Sequence, residues 1–181
     1  SVQWRPGTDT VVFTSDEGGD EQWQIFAMED GRITRLTDGE SRYGSVRFSA
    51  DGSQLVYTSN ARNGRDMDFY LSNGMAMDPD AAPLLEVSGL WYPLDWSTDG
   101  QTLLVGEYIS VTDSRVYALD VADGALTRIT PADSTASHRS AVLAPDGQPA
   151  YITSDREGEF VELYAVREGE WTPLTRDIPW N

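Results

Sequence analysis

The residue types that most often do chemistry are sparse along this chain of 181 residues, which has one histidine, His138, and no cysteine. Ser134, Ser137, Ser140 and Asp133 stand close to His138 in sequence, and these are the residue types of a serine–histidine–carboxylate set. The segment reads as a polar loop that leads into a strand, however, and nearness in a loop does not create an oxyanion hole. We therefore interpret His138 as a surface loop histidine and predict no catalytic residue.

Acidic runs are the candidate cation ligands. Residues 16–21 could gather oxygen ligands for Ca²⁺, but they lack the alternating ligand order and the terminal bidentate Glu of an EF-hand loop. In residues 60–68, Asn63-Gly64 is typical of a tight turn, and Asp66 and Asp68 are expected to flank a strand. We interpret both runs as hairpin connections and predict no metal and no cofactor.

Three aspartates recur at matching places, each followed by glycine: Asp51, Asp99 and Asp146. The Asp-Gly pair favours a tight turn, because glycine readily adopts the positive φ that such a turn needs. The spacing places the three carboxylates at equivalent positions of different repeats, so we expect them not to meet and not to form a catalytic pair. Each side chain is predicted to accept backbone N–H groups of its own turn.

These turns belong to a repeat. An aromatic or apolar residue leads each turn, at Trp4, Phe48, Trp96 and Leu143, with spacings of 44, 48 and 47 residues. A strand-like run follows each turn, then a polar loop, a second strand, a Gly-containing turn and a closing strand such as Arg128-Ile129-Thr130. About four short strands in a period of roughly 45 residues is the signature of a β-propeller blade.

The repeat predicts an all-β fold, a β-propeller of about four four-stranded blades that is part of a larger, six- to eight-bladed propeller. The predicted blades span residues 1–42, 43–88, 89–137 and 138–177, and residues 178–181 begin a further strand. A long loop is expected at Met75 to Ala82. Two alternatives are a closed four-bladed ring and two chains that together form an eight-bladed ring.

Most aromatic residues are then expected to pack between blades: Trp4, Trp23, Phe48, Trp91, Tyr92, Trp96, Trp171 and Trp180. Trp91 and Tyr92, beside Pro93, could instead line a central channel or a peptide-binding rim. Glu107 and Tyr108 interrupt the pattern where the other repeats carry Thr-Ser, and an unpaired Glu at a strand end would face the channel. We predict Glu107, Tyr108, Trp91 and Tyr92 as substrate- or channel-lining residues.

Charge and hydropathy restrict the partners. The chain has 30 acidic and 13 basic residues, all of them Arg, and a net charge of −17. Nucleic acids and anionic membranes need a basic surface, so neither is an expected partner. No apolar run approaches the 18 residues or so that a membrane span needs, so no membrane insertion is expected. A periplasmic or secreted location is favoured over a cytoplasmic one.

The recurring W/F-S-x-D-G turn, the Thr-Ser-Asp-Arg element at 153–156 and the closing Leu-Thr resemble the WD-like blades of TolB and of the prolyl oligopeptidase family. Leu104 to Tyr108, Thr130 to Asp133 and Asp177 to Trp180 are most similar to the amino-terminal propeller of bacterial prolyl-oligopeptidase-like serine peptidases. In that family the propeller covers an α/β-hydrolase domain and filters the peptides that reach the active site.

The resemblance implies a non-catalytic segment that gates and scaffolds a separate hydrolase domain. The chain has neither a G-x-S-x-G elbow nor the Glu-Glu pair with which dipeptidyl-peptidase members hold a substrate amino terminus. The implied partners are the remaining blades and the hydrolase domain, or a second copy of the chain, and the peptide substrate of the parent protein. The alternative is a TolB-like scaffold that binds proteins with no enzyme attached.

Overall fold

The computed structural model describes residues 1–133, 135–148 and 150–178, and all of its regular elements are β-strands. The strands are β1 (Val2–Trp4), β2 (Val11–Ser15), β3 (Gln24–Glu29), β4 (Arg32–Arg35), β5 (Tyr43–Phe48), β6 (Gln54–Ser59), β7 (Asp68–Asn73), β8 (Leu90–Trp96), β9 (Thr102–Ser110), β10 (Asp113–Asp120), β11 (Leu126–Arg128), β12 (His138–Leu143), β13 (Ala150–Ser154), β14 (Glu162–Arg167) and β15 (Glu170–Pro173). None of the described residues belongs to a helix that could cross a membrane. Ser134, Trp180 and all but the first residue of the strand predicted at 178–181 lie outside the described residues.

The strands form four sheets in chain order. Sheet 1 has the order β1-β2-β3-β4, sheet 2 β5-β6-β7, sheet 3 β11-β10-β9-β8 and sheet 4 β12-β13-β14-β15. In sheet 2 the place of a fourth strand holds only an isolated bridge between Phe69 and Leu85. The long loop predicted after β7 is present, and it leaves little chain for a fourth strand there. The predicted all-β fold is confirmed.

The chain divides into two compact units, Ser1–Pro93 (unit 1) and Leu94–Asn181 (unit 2), and each is described by itself. Alternate residues of each strand form the core of a unit, because successive side chains of a strand point to opposite faces. In unit 1, Val12 and Ile25 of sheet 1 pack in one cluster with Phe48 and Leu55 of sheet 2. Complete burial of such a side chain contributes about 2 kcal/mol.

In unit 2 the same arrangement joins sheets 3 and 4. Leu104 and Val116 of sheet 3 lie in one cluster with Ala141, Ile152 and Tyr164 of sheet 4. A hydrogen bond of 2.9 Å from the Leu143 amide to the Asp95 carboxylate also joins the two sheets. In each unit two sheets are therefore held face to face by their apolar sides. The first residues of β8, 90–93, belong to unit 1.

The aromatic residues only partly follow the packing prediction. Phe48 is in the unit 1 core, Trp171 packs against the unit 2 core, and Trp96 is buried. Trp4 is 60% exposed and Trp23 is 41% exposed, so neither packs between the sheets of unit 1. Trp4 pairs with Val11 and alternates with the buried Val12 row, so its side chain lies on the other face of sheet 1.

That other face of sheet 1, called here the outer face, is apolar across all four strands. Two cross-strand rows cover it: one of Val2, Phe13 and Phe26, which ends at Arg35, and one of Trp4, Val11, Met28 and Ile33, which is apolar throughout. The rings of Phe13 and Phe26 stack with centroids 5.6 Å apart. Four of these side chains are exposed: Val2, Trp4, Met28 and Ile33. Contiguous apolar patches on a protein surface usually mark an interaction site.

Candidate functional sites

Each turn aspartate accepts a backbone hydrogen bond within its own turn, as the sequence predicts. Asp51 accepts from the Ser53 amide at 3.0 Å, Asp99 from the Gln101 amide at 3.0 Å, and Asp146 from the Gln148 amide at 3.4 Å. Hydrogen bonds from the backbone of Ser53 and the hydroxyl of Ser49 hold the pKa of Asp51 down to about 2. The predicted role of each aspartate in its own turn is confirmed. The expectation that the three carboxylates stay apart was wrong for Asp99 and Asp146, which line the same hollow.

Glu107 is the first predicted site residue, and its structural setting differs from the expectation. We expected an unpaired Glu at a strand end, and this was wrong. Glu107 lies inside β9, where its carboxylate accepts from the Tyr117 hydroxyl at 2.8 Å and pairs with Arg115 at 3.3 Å. The cause is the length of β9, which has nine residues where β2 and β13 have five. The β9–β10 hairpin therefore extends past the point where the other repeats turn.

Tyr108 lies beside Glu107 but on the opposite face of β9, since successive strand residues alternate. It is 40% exposed, and Ile109 and Val111 at the end of the same hairpin are also exposed. Glu107 and Tyr108 therefore cannot both line the same wall. Their role as channel-lining residues stays a prediction.

Trp91 borders a groove in unit 1 of about 390 Å³, together with Trp23, Leu90, Arg42 and Met67. Its indole N–H donates to the Ser88 carbonyl at 3.0 Å, which orients the ring. Tyr92 points to the other side of β8, is half-buried, and has a pKa raised by desolvation. A groove with two indoles and a guanidinium can bind an apolar or aromatic side chain, so Trp91 is the better placed of the two.

His138 corrects another interpretation: it is not a surface loop histidine. It is the first residue of β12 and only 3% exposed. Its Nδ1 lies 2.6 Å from the Ser114 carbonyl oxygen, and its backbone N–H donates to the Ser114 hydroxyl at 2.6 Å. The residue is buried because β12 of sheet 4 begins at His138 and lies there against Ser114 of β10 in sheet 3, where we expected the loop to continue.

The contact with a carbonyl determines the tautomer of His138. A carbonyl only accepts, so Nδ1 carries the proton and Nε2 of the neutral ring is an acceptor. Burial by the protein lowers the pKa of His138, which favours that neutral ring. Because Nδ1 bonds a carbonyl and not a carboxylate, the ring lacks the orienting acid of a catalytic triad.

Three buried nitrogens in the described part of the chain have no hydrogen-bond partner in the protein: His138 Nε2, Arg156 Nε and Trp171 Nε1. All three lie in unit 2. The His138 and Trp171 rings are 5.8 Å apart, and the Arg156 guanidinium lies 4.7 Å from the centroid of the Trp171 ring. Sequence inspection missed this cluster, because its members are far apart in the chain and only the sheet brings them together.

Residues 60–68 form a structural clasp. Asp68 is fully buried and accepts from Arg62 at 2.5 and 3.0 Å and from the Val87 amide at 2.9 Å. The Asn63 side-chain oxygen accepts a hydrogen bond from the Arg65 amide at 3.0 Å, which is typical of a turn residue. Across the described residues no group of three or more His, Asp or Glu side chains could hold a metal ion.

Sequence inspection also missed a cleft between the facing strands of unit 2, of about 480 Å³. Its walls are apolar, with Leu104, Ala118 and Ile129 on sheet 3 and Ala150 and Val166 on sheet 4. Its mouth is polar. A second hollow of about 350 Å³ shares Ser97, Asp99 and Gly147 with it. Ligand pockets of proteins commonly have about this size and composition.

Consecutive antiparallel sheets of four strands, or of three in sheet 2, recur at a period of roughly 45 residues, and the facing sheets of each unit join through their apolar sides. These features define the β-propeller class. Solved structures agree. The chain is similar to a putative TolB from Agrobacterium tumefaciens, with 21% identity and a TM-score of 0.72 over 97% of this chain and 61% of that chain. It is also similar to TolB from Acinetobacter baumannii, with 17% identity and a TM-score of 0.69 over 93% of this chain and 42% of that chain.

A third similar structure is a puromycin-hydrolyzing peptidase from Mycobacterium tuberculosis, with 19% identity and a TM-score of 0.66 over 96% of this chain and 30% of that chain. No protein-family model matches the chain, and no curated protein matches its sequence. At these sequence identities the similarity shows that the chain shares the fold of these proteins, and no more. The predicted resemblance to propellers of the TolB type and of peptidases is confirmed at that level. The chain spans about three tenths to three fifths of the lengths of these three structures.

Proposed function

We propose that this chain is a non-catalytic β-propeller segment of a prolyl-oligopeptidase-like serine peptidase, in which it scaffolds a separate α/β-hydrolase domain and gates peptide access to it. The observation that carries the proposal is the exposed apolar outer face of sheet 1. In a propeller each sheet is covered by its neighbours, so this face indicates further blades. The likeness to the mycobacterial peptidase supports a peptidase as the parent protein.

The four predicted site residues enter this proposal as channel-lining groups. Trp91 borders a groove with Trp23 and Arg42, which suits it to contact a passing peptide. Glu107, fixed by Tyr117 and Arg115, offers a carboxylate of constant orientation. Tyr92 lies on the face of β8 opposite to Trp91, and Tyr108 lies on the face of β9 opposite to Glu107. These two tyrosines would therefore line a different part of the channel from Trp91 and Glu107.

The test uses the full-length gene product. We expect its reading frame to encode a G-x-S-x-G elbow, the purified protein to react with a fluorophosphonate serine probe, and short peptides to be cleaved in preference to unfolded casein. Trp91→Ala should relax that preference, while Phe160→Ala, an exposed loop residue, should not. A labelled enzyme that cleaves casein as readily as short peptides would contradict the gating role.

A TolB-like protein-binding scaffold is the second candidate. It is favoured by the larger share of the Agrobacterium chain that this chain covers, 61% against 30% of the mycobacterial peptidase. A reading frame without a serine elbow, combined with co-purification of a protein partner, would support the scaffold and reject the peptidase.

A further inference from the structure

The cleft of unit 2 combines apolar walls with an acidic mouth. Leu104, Ala150 and Val166 are almost fully buried core residues that nevertheless line it. Three exposed carboxylates stand at its mouth and that of the adjoining hollow: Asp99, Asp146 and Glu168. A ligand that fits must therefore offer an apolar group to the walls and positive charge to the mouth.

One cation also lines the cleft, and it is already engaged. Arg128 donates from Nε to the Thr130 hydroxyl at 3.2 Å and from Nη2 to the Pro131 carbonyl at 2.6 Å. These bonds turn its guanidinium toward the loop that follows β11. Asp99 is held in its ionised form, because hydrogen bonds from Ser97 and from the Gln101 amide lower its pKa. Arg167 lies beside the cleft, where its Nη2 donates to the carbonyl of the lining residue Gln148 at 3.1 Å. Three carboxylates therefore face two guanidiniums that are already hydrogen-bonded, and the mouth is acidic.

Unit 1 shows what occupies the corresponding place there. Ala27, Thr34 and Leu36 of sheet 1 hold the register positions of Ala118, Thr127 and Ile129 in sheet 3, since Ala27 pairs with Thr34 as Ala118 pairs with Thr127. The loop after β7 sends Met75 and Met77 against this wall and into contact with the unit 1 core. The hollows beside the two methionines are smaller than the unit 2 cleft, about 310 Å³ at Met75 and about 210 Å³ at Met77.

Two hydrogen bonds hold this loop against the wall. The Ser72 hydroxyl donates to the Ala76 carbonyl at 2.8 Å, and the Gly74 amide donates to the Ser53 carbonyl at 2.6 Å. Sheet 4 has no such loop: Glu168 and Gly169 alone join β14 to β15, with φ of 51° and 84°. The short turn leaves the wall of unit 2 open.

We propose that this cleft binds an extended segment of a partner polypeptide that inserts an unbranched apolar side chain, such as Met, flanked by Arg or Lys. The apolar side chain takes the place that Met75 and Met77 hold in unit 1, and its basic neighbours meet Asp99, Asp146 and Glu168. The net charge of −17 raises the local concentration of such cationic segments. The inference does not depend on an attached hydrolase domain.

The experiment titrates the ¹⁵N-labelled full chain with the peptide acetyl-Gly-Arg-Met-Arg-Gly-amide, followed by amide chemical shifts. We expect saturable shifts at Thr127, Gly147 and Gly169, which line the cleft. Replacing the peptide Met by Ser should raise Kd about tenfold, because the buried apolar area is lost. A peptide with Glu in place of both Arg residues should not bind.

Three variants of the chain locate the site, and a fourth is the control. Ala118→Met, which fills the cleft, and Thr127→Arg, at an exposed position on its wall, should each abolish the shifts. Asp146→Asn with Glu168→Gln should raise Kd about threefold, the size expected for exposed ion pairs, and Glu159→Gln should leave Kd unchanged. Absence of shifts, shifts at other amides, equal binding of the Ser peptide, or binding unaffected by both blocking variants would overturn the proposal.

Discussion

The two units pair their sheets through the same kind of apolar face but close the ends of that interface differently. In unit 1 the end near the Asp-Gly turn is sealed: Arg5 donates to the Gly52 carbonyl at 3.1 Å, and a Cβ placed on Gly52 would lie 2.8 Å from the Pro6 carbonyl oxygen. In unit 2 the matching Gly147 has open space beside it and lines the cleft.

The opposite ends differ as well. In sheet 2 the buried Asp68 at the start of β7 accepts hydrogen bonds from the Arg62 guanidinium and the Val87 amide. In sheet 4 the register places Glu162 at the matching position, but it accepts from the Tyr164 hydroxyl at 2.6 Å. Arg156 lies over the Trp171 and Tyr164 rings instead. The apolar faces therefore pair the sheets, and the polar ends decide how tightly each pair is sealed.

The largest expected effect concerns the Asp68 clasp. Asp68→Asn removes the buried charge that pairs with Arg62, and breaking a buried pair in this way costs about 3 kcal/mol of unfolding free energy. Glu162→Gln, at the matching position of sheet 4, should cost clearly less, since water reaches that carboxylate. Urea unfolding followed by tryptophan fluorescence measures both. Equal losses would show that the two ends are sealed alike.

The next effect concerns the turn glycines. Gly52 and Gly147 both have positive φ, 70° and 82°, so alanine at either position costs about 1 kcal/mol from the backbone alone. Gly52→Ala should cost about 1 kcal/mol more, because the new methyl group meets the Pro6 carbonyl oxygen. The same urea titrations give the difference. If both substitutions cost the same, unit 1 is not sealed at this end.

The smallest effect is a pH dependence of unit 2. The pKa of His138 in the folded chain is lowered by burial below its ordinary value of 6.5, so the unfolded chain takes up the proton first as the pH falls. This contribution to stability is complete above pH 6.5 and is lost as the pH falls from there toward the folded pKa. Unfolding free energies at pH 7.5, 6.5 and 5.5 should therefore decrease.

His138→Phe is the control, because it removes the only histidine. The variant should be less stable at every pH, since the Ser114 carbonyl loses its donor, but its unfolding free energy should change much less between pH 7.5 and 5.5 than that of the unsubstituted chain. A slope as steep as that of the unsubstituted chain would assign the pH dependence to other groups.

Local and repeated features were predictable from the sequence. Asp51-Gly52, Asp99-Gly100 and Asp146-Gly147 identify their turns, because the chemistry of a turn is contained in neighbouring residues. The alternation around Val116 and Tyr117 identifies a strand for the same reason. Repetition of these local signals is what made the propeller class predictable.

Features that depend on pairing between distant residues were not predictable. His138 is buried because it begins a strand against Ser114, 24 residues earlier, and nothing near His138 in the sequence indicates that partner. Glu107 is paired because β9 continues past the usual turn and brings Tyr117 opposite. The unit 2 cleft arises from a loop that one sheet has and the other lacks, which appears only when the two are compared.

The central claim is that this chain is part of a larger propeller whose outer sheet face needs a cover. Sedimentation equilibrium of the chain over a range of concentrations tests it most directly. We predict reversible self-association that weakens strongly in Trp4→Ser with Ile33→Thr on the outer face of sheet 1, and that Phe160→Ser in an exposed loop leaves unchanged. A stable monomer at every concentration would contradict the claim and favour a closed ring.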